Sequence, residues 1–298
     1  MTEPSGLTLH EDIPLFREAV NFTASRTGFN PRLIEKDYFC TVLLAYLNGH
    51  GSGRLVFKGG TCLAKVYAGF YRLSEDLDFS IPLPVDASRK QRSQAVAAAK
   101  DAVSDVASSI RAFACREPLT GANNSTQYNG TVAYESPTTG QREGIFVEVS
   151  VREPLLLPVV KGQASTLLLD PIGGDAMIPA VAVGCIDMIE AMAEKFRAAL
   201  SRRDVAIRDF YDLDYAVKHL HLAPQSDQMV DLVRQKLAVP GNLPVDVGKQ
   251  RLADLKRQLV ARLRPVLREH DFRVFDIEEA IQLVVTLAEK VCPPERSG

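Results

Sequence analysis

The sequence predicts an α/β protein of the α+β type, in which a small mixed sheet with helices is followed by a helical second part. Two observations carry this prediction. Short apolar or alternating strand patterns recur between helical patterns as far as Val183. From Ile186 onward the hydrophobic periodicity is helical, with no convincing strand pattern. We therefore predict two domains, residues 1–185 with the sheet and residues 186–298 with helices alone.

Length and composition are those of an ordinary globular protein. The 298 residues suffice for one large domain or two average domains with a hydrophobic core. Hydrophobic residues make up 46% of the chain, charged residues 24%, and the formal net charge is -2. Because the chain has no overall basic charge, any nucleic acid must be bound by a local basic patch.

The cysteines and the N-terminus indicate a cytoplasmic protein. The five cysteines are scattered, odd in number and without a Cys-x-x-Cys pair. This pattern predicts reduced structural thiols rather than a zinc site or a disulfide framework. The N-terminal residues lack the basic segment and apolar run of a signal peptide, and no apolar run approaches the length of a membrane span.

Two helices are predicted first, over Ile13–Thr27 and Pro31–Leu47. Asn30 is a suitable cap for the second helix, and a proline at the first helical position favours its start. Three consecutive charged residues, Glu35 to Asp37, are interpreted as the solvated face of this helix.

The stretch Leu55–Ile81 carries the chemistry. A strand at Leu55–Phe57 is followed by the turn Lys58–Thr61, which opens a helix, and then by a strand that carries Asp76 and Asp78. Two adjacent glycines let the backbone approach a phosphate, and the following helix turns its free N–H groups toward an anion. Aspartates two apart on a strand share one face, where their oxygens suit Mg²⁺ or Mn²⁺. Together these features predict a site for a nucleoside triphosphate and a divalent cation.

The rest of the first domain is predicted to alternate helix and strand. Residues Ala87–Cys115 have an alanine-rich pattern typical of one extended helix. Strands Thr126–Glu135 and Gly144–Glu153 are expected to form a hairpin, the second with an apolar face and a polar face that carries Glu148. Short strands and turns are expected over Leu155–Val183.

Five helices are predicted in the second domain: Ile186–Arg202, Ile207–His221, Asp227–Leu237, Val245–Arg264 and Ile277–Val291. The last residues, 293–298, are expected to form a polar, frayed end.

A basic stripe runs through the fourth of these helices. It has one acid, Asp254, and seven basic residues: Lys249, Arg251, Lys256, Arg257, Arg262, Arg264 and Arg268. Such a stripe predicts contacts to RNA phosphates, and without aromatic residues recognition would depend on backbone and shape. A solvated helix face is the alternative, although such a face normally mixes charge signs.

The sequence KGGT followed by RLSEDLDFSI is similar to the AbiEii/AbiGii-type, MenT-like nucleotidyltransferase toxins of type IV toxin–antitoxin and abortive-infection systems, which belong to the polymerase-beta superfamily. The resemblance runs in order from Glu35 to Leu213 and weakens beyond His221. It implies a nucleotidyltransferase domain and a C-terminal helical domain that completes the nucleotide cleft.

This resemblance implies roles for the residues of the first domain. Asp76 and Asp78 would be catalytic and hold the cation, and Glu148 corresponds in position to the third metal-related acid of the superfamily. An exposed strand glutamate is the alternative for Glu148. The triphosphate would be bound by Lys58, Gly59, Gly60, Thr61 and Ser74.

The second domain matches the family in a helical lysine followed by an Arg-Asp-x-x-Asp-Leu segment. By resemblance, Lys195 would neutralise the triphosphate, and Asp209 or Asp212 would support the site or aid catalysis. One of the two acids is expected to pair with Arg208 or Lys195, and the sequence leaves the choice open.

The function implied by the resemblance is metal-dependent transfer of a nucleoside monophosphate from an NTP to RNA, foremost to the 3′ end of tRNA, which blocks translation. A separately encoded antitoxin protein is the implied partner. Three alternatives remain open: a transferase of the same fold acting on a protein or small-molecule hydroxyl, a non-catalytic RNA- or nucleotide-binding module, and a metal-dependent phosphohydrolase.

Overall fold

A computed structural model describes residues 7–51 and 53–292 of the chain. The expected C-terminal end at 293–298 lies outside the described residues. Two compact units divide at the Ile186–Asp187 bond: Met1–Ile186 and Asp187–Gly298.

The first unit begins with helices α1 (Ile13–Thr27) and α2 (Pro31–His50). The Asn30 side chain accepts a hydrogen bond from the Arg32 N–H, so the predicted cap is confirmed. Helix α2 runs three residues beyond its predicted end and stops at Gly51, whose N–H donates to the Leu47 carbonyl. The asparagine and glycine that suggested an earlier end are accommodated in its last turn.

The motif stretch forms a strand, a helical segment and a second strand. These are β1 (Val56–Lys58), α3 (Gly59–Cys62) with a π-helical continuation (Leu63–Tyr67), and β2 (Leu77–Ser80). Asp78 lies inside β2, and Asp76 precedes its first residue by one position. The order strand, glycine turn, helix and strand is therefore as predicted.

The extended helix predicted over Ala87–Cys115 is wrong. In its place are three short helices and the start of a strand: α4 (Arg89–Ala95), α5 (Ala97–Ser104), α6 (Val106–Ser109) and β3 (Phe113–Ala122). Cys115 lies in β3, where the backbone pairs with the next strand. Tertiary pairing overrides the local helix preference of these residues.

The predicted hairpin is confirmed as β4 (Gln127–Glu135) and β5 (Arg142–Ser150), and two further strands follow, β6 (Val160–Ala164) and β7 (Val181–Cys185). Within the described residues, seven strands form one sheet in the order β3-β4-β5-β2-β1-β7-β6. Pairs β2–β5 and β1–β7 are parallel and the others antiparallel, so the sheet is mixed as predicted.

One face of this sheet packs against helices. Phe39 of α2 stacks on Tyr134 of β4 with ring centroids 4.0 Å apart, and Tyr46 donates to the Ala102 carbonyl of α5. On β5, Val147 and its apolar neighbours are fully buried on this face. Burial of each such side chain stabilises the fold by about 1.5–3 kcal/mol. The opposite face of the same strands carries the polar residues.

The cysteines are free thiols, three of them buried. Burial raises the pKa of the Cys40 thiol to about 12, and the pKa of Cys62 is also well above its usual value. Both thiols are therefore protonated near neutral pH.

The second unit is helical throughout its regular structure. Its helices are α7 (Met188–Ser201), α8 (Ile207–His219), α9 (Asp227–Ala238), α10 (Lys249–Gln258), α11 (Glu269–Val274) and α12 (Ile277–Val291). The helix predicted over Val245–Arg264 is α-helical only from Lys249 to Gln258. It continues as a π-helical turn (Leu259–Leu263) and a 3-10 turn (Arg264–Val266).

Helix α7 packs against α8 and α9, and α12 packs against α8. A buried ion pair links two of these helices, because Lys236 Nζ of α9 lies 2.6 Å from Glu190 and 3.2 Å from Glu194 of α7.

No helix among the described residues combines the length and apolar character that crossing a membrane requires.

Candidate active site

Gly59 fits closely against Asp78. Its φ of +76° lies in the left-handed region that favours glycine, and a Cβ built at this position would overlap the Asp78 carboxylate. Lys58 and Asp78 are paired across β1 and β2. The glycine is therefore required both by the backbone and by the space that the carboxylate occupies.

At Gly60 the backbone packs closely against two polar side chains. A Cβ at Gly60 would lie 2.5 Å from Arg72 Nη2 and 3.1 Å from Ser74 Oγ, so the bare backbone, a guanidinium and a hydroxyl meet there. Arg72 is 2% exposed. Sequence reasoning missed it, although a lone arginine two residues before Ser74, in the otherwise apolar segment AGFYRL, was a usable clue.

Thr61 is buried, and its hydroxyl lies 2.5 Å from the Asp76 carbonyl, to which it donates. The sequence predicted contact of Thr61 with phosphate. In the structure its hydroxyl proton holds the glycine turn against the backbone of the acidic strand, and contact of Thr61 with phosphate stays a prediction.

Asp76 and Asp78 are partly exposed, whereas Leu77 and Phe79 are buried. This alternation agrees with the predicted shared face of the two carboxylates. Their oxygen donors fit a Mg²⁺ ion that is completed by substrate phosphates. In the part of the chain that the structure describes, no three His, Cys, Asp or Glu side chains form a group able to hold a metal ion.

Glu148 lies directly beside Asp78 in the parallel pairing of β2 and β5. Its Oε2 accepts a hydrogen bond of 2.5 Å from Gln127 Nε2 on β4. The structure therefore brings the candidate third acid to the same row of the sheet as Asp78, with an amide holding its carboxylate.

The charged residues Glu35 to Asp37 are buried, so their interpretation as a solvated helix face is wrong. Apolar residues occupy every face of α2 from residue 38 to 47, which was the clue to burial. Lys36 Nζ lies 2.9 Å from Glu75 Oε2, and Glu75 is the residue before Asp76. Lys36 thus anchors the acidic strand to α2.

The other end of the motif is anchored to the same helix. Lys65, in the π-helical turn after the glycines, lies 2.6 Å from Asp37 Oδ1 and donates to Thr41 Oγ1 at 2.7 Å. Asp37 Oδ2 accepts from the Leu167 N–H. Helix α2 therefore fixes the position of the glycine turn and of the two aspartates together.

Lys195 is held between two carboxylates of α8 within the second unit. Its Nζ lies 3.0 Å from Asp209 Oδ1 and 2.5 Å from Asp212 Oδ2. Both acids therefore pair with Lys195. Arg208 donates to the Arg262 carbonyl. Asp212 is fully buried, whereas the side chain of Asp209 keeps 14% exposure.

Arg251 does not belong to an RNA-binding surface, contrary to the prediction. It is 8% exposed, and its guanidinium donates to the carbonyls of Ala199 and Arg202, each at 2.7 Å. These carbonyls lie at the C-terminal end of α7 and lack helical partners. Arg251 therefore caps that helix.

Four of the other six cations of the predicted stripe pair with carboxylates, three of which lie outside the predicted helix. Lys256 pairs with Glu278 at 2.5 Å, and the remaining pairs are Arg257–Asp254, Arg264–Glu269 and Arg268–Asp271. Three of these four acids come from α11 and α12. The stripe therefore carries less uncompensated charge than its sequence suggests.

We expect Arg251→Ala to lower the free energy of unfolding by about 2–4 kcal/mol, because charged hydrogen bonds to buried carbonyls are lost. The exposed Lys249→Ala variant should change it by less than about 0.5 kcal/mol. Urea unfolding of both variants measures the difference. Weaker RNA binding by Arg251→Ala at unchanged stability would contradict the capping role.

A comparison with protein-family models shows the family to which the chain belongs. The model of the family described as nucleotidyl transferase AbiEii toxin, type IV TA system, matches residues 42–284. The chain belongs to this family. It is therefore a nucleotidyltransferase, and the predicted enzyme class is confirmed. The AbiEii family implies an NTP substrate, a divalent metal in general terms and an antitoxin partner.

Solved structures share the AbiEii fold. MenT4, a nucleotidyltransferase toxin from Mycobacterium tuberculosis H37Rv, is 20% identical with a TM-score of 0.56, over 94% of this chain and 90% of that one. JHP933 from Helicobacter pylori is 16% identical with a TM-score of 0.52, over 88% of this chain and 93% of that one. A comparison with curated proteins gives no match.

Proposed function

We propose that this AbiEii toxin transfers a nucleoside monophosphate from an NTP to RNA, above all to the 3′ end of tRNA, and so blocks translation in the cytoplasm. The observation that carries the proposal is the contact of Gly59 with the Asp78 carboxylate, which joins a phosphate-binding turn to a cation-binding pair. The new bond joins the acceptor oxygen to the α-phosphorus. The α–β phosphoanhydride bond breaks, pyrophosphate leaves and the hydroxyl proton is released.

Asp76 and Asp78 would hold the divalent cation, Mg²⁺ or Mn²⁺, as a pair completed by substrate phosphates. Glu148, the register partner of Asp78, is the candidate third acid. A bound cation of this kind neutralises phosphate charge and aligns the α-phosphorus for in-line attack. The aspartates contribute oxygen ligands alone, which suits a hard cation.

The β- and γ-phosphates would lie against Lys58, the backbone of Gly59 and Gly60, and the hydroxyl of Ser74. Arg72, which meets the same point as Gly60, adds a guanidinium suited to phosphate oxygens. These groups stabilise the negative charge that develops on the departing pyrophosphate.

We further propose that Lys195 of the second unit neutralises the triphosphate, with Asp209 and Asp212 holding the lysine in place. The order of these residues after the acidic strand supports this assignment, because it follows the family pattern. Their mutual ion pairs fix the Lys195 ammonium before substrate binds. Of the basic stripe, Lys249 and Arg262 are exposed candidates for RNA contact.

The acceptor is tested with tRNA whose 3′-terminal diol has been destroyed by periodate. Purified toxin, Mg²⁺ and each of the four α-labelled NTPs are incubated with intact or oxidised tRNA. We expect a labelled RNA band with intact tRNA and none with oxidised tRNA. Equal labelling of both, or label in protein instead of RNA, would contradict a 3′-terminal acceptor.

A further inference from the structure

The sheet face opposite α2 carries a continuous polar row. Lys58, Asp78, Glu148 and Asn129 are register partners across β1, β2, β5 and β4, so their side chains share this face. The row extends from the proposed phosphate turn, past the cation pair and Glu148, to β4, which has no role in the proposed reaction.

Phe146 lies on the same face, two residues before Glu148 on β5. It is 36% exposed, and it is the aromatic member of the large apolar side chains that are exposed in the described part of the chain. Two residues of strand span about 6.6 Å. One nucleoside is therefore long enough to contact both the exposed Phe146 ring and the candidate third acid, Glu148.

Amide groups line the row beside this ring. Gln127 donates to Glu148 and accepts from Asn123. Asn129, the register partner of Glu148, has a buried Oδ1 without a hydrogen-bond partner. A buried acceptor without a donor is costly, and a donor on a bound ligand removes that cost.

A cleft of about 580 Å³ lies next along the same strands. Its lining includes Ala133, two residues beyond the Phe146 partner Thr131, and the exposed arginines Arg111 and Arg142. The volume is that of an ordinary ligand site, about 300–1,000 Å³. Arginine at its rim suits phosphate oxygens, which it can bind through two N–H groups.

The position of these residues relative to β2 indicates which substrate they would bind. The glycine turn follows β1 on one side of β2, whereas Phe146 belongs to β5 on the other side. In an in-line displacement the leaving and attacking oxygens are on opposite sides of the phosphorus. With pyrophosphate on the β1 side, the attacking hydroxyl approaches from the β5 side.

We propose that this face is the acceptor-nucleoside subsite: Phe146 stacks the terminal base of the RNA acceptor, Asn129 accepts a hydrogen bond from it, and Arg111 and Arg142 bind preceding phosphates. The proposal rests on the proposed nucleotidyl transfer to RNA.

The chain contains no tryptophan, so F146W introduces a single fluorescent reporter at the stacking position. Short RNA with an intact 3′-terminal base should quench its fluorescence with saturation. NTP without RNA, or the same RNA with an abasic 3′ end, should not. The control variant I172W places a tryptophan at a fully exposed turn and should respond to neither RNA.

Activity gives a second readout. F146A should raise KM for the RNA acceptor between about fivefold and 150-fold, the range expected for loss of one base–aromatic stack. KM for NTP should be unchanged, and F146W should keep KM for RNA near the parental value. R142A should lower the slope of the logarithm of the RNA-binding constant against the logarithm of the salt concentration. The expected decrease is that for the loss of about one phosphate contact.

Quenching of F146W by NTP alone, or an unchanged KM for RNA in F146A, would overturn the proposed subsite. Quenching by RNA in a protein that transfers no nucleotide would support the subsite and overturn the proposed reaction. The two proposals can therefore fail separately.

Discussion

Asp78→Asn should lower nucleotidyl transfer on the order of a thousandfold or more, because lost charge stabilisation by a metal ligand amounts to several kcal/mol. Asparagine has nearly the same shape and keeps the close fit to Gly59, so the fold should remain intact. Incorporation of α-labelled nucleotide into RNA measures the rate. Urea unfolding measures the stability.

Asp86→Asn is the matched control, since Asp86 is exposed in the turn after β2. It should transfer nucleotide at the parental rate. A parental rate in Asp78→Asn as well would remove Asp78 from the reaction.

Lys65→Met should lower the free energy of unfolding by about 3–5 kcal/mol, because it removes the ammonium that neutralises the buried Asp37 carboxylate. Such a loss is a large part of the about 5–15 kcal/mol that stabilises a typical protein. Since Lys65 also holds the turn that follows the glycines, activity should fall with it. Urea unfolding at fixed pH measures the stability.

Two variants separate the buried pair from a general effect of losing a lysine. Lys161→Met, at an exposed position of β6, should change stability by less than about 0.5 kcal/mol. The double variant Lys65→Met/Asp37→Asn should regain part of the lost free energy of unfolding, because it no longer buries the Asp37 charge without the lysine. Equal stability of Lys65→Met and Lys161→Met would show that the buried pair contributes nothing.

Elements with a strong local pattern could be predicted from the sequence. The bounds of α1 and α12 agree with the helical periodicity, and the β4–β5 hairpin agrees with the alternation of apolar and polar residues. The single helix expected over Ala87–Cys115 was wrong. The alanine-rich sequence favours a helix locally, but the last residues of the segment pair with β4 as the edge strand β3.

The candidate site also has parts that could be predicted from the sequence and parts that could not. The glycine turn and the aspartate pair are local in sequence, so their proximity follows from strand geometry. The partners of Lys36 and Lys65 come from distant positions, and burial of such charges depends on tertiary packing. Arg251 looked like a phosphate contact for the same reason, because its carbonyl partners lie about fifty residues away.

The most direct test of nucleotidyl transfer follows the two ends of the triphosphate separately. Toxin, Mg²⁺ and tRNA are incubated in parallel with α-labelled and γ-labelled NTP. Nucleotidyl transfer to RNA should place the α-label at the 3′ end of the RNA and the γ-label in pyrophosphate. γ-Label in the RNA, or γ-label released as free phosphate with no α-label in RNA, would contradict it.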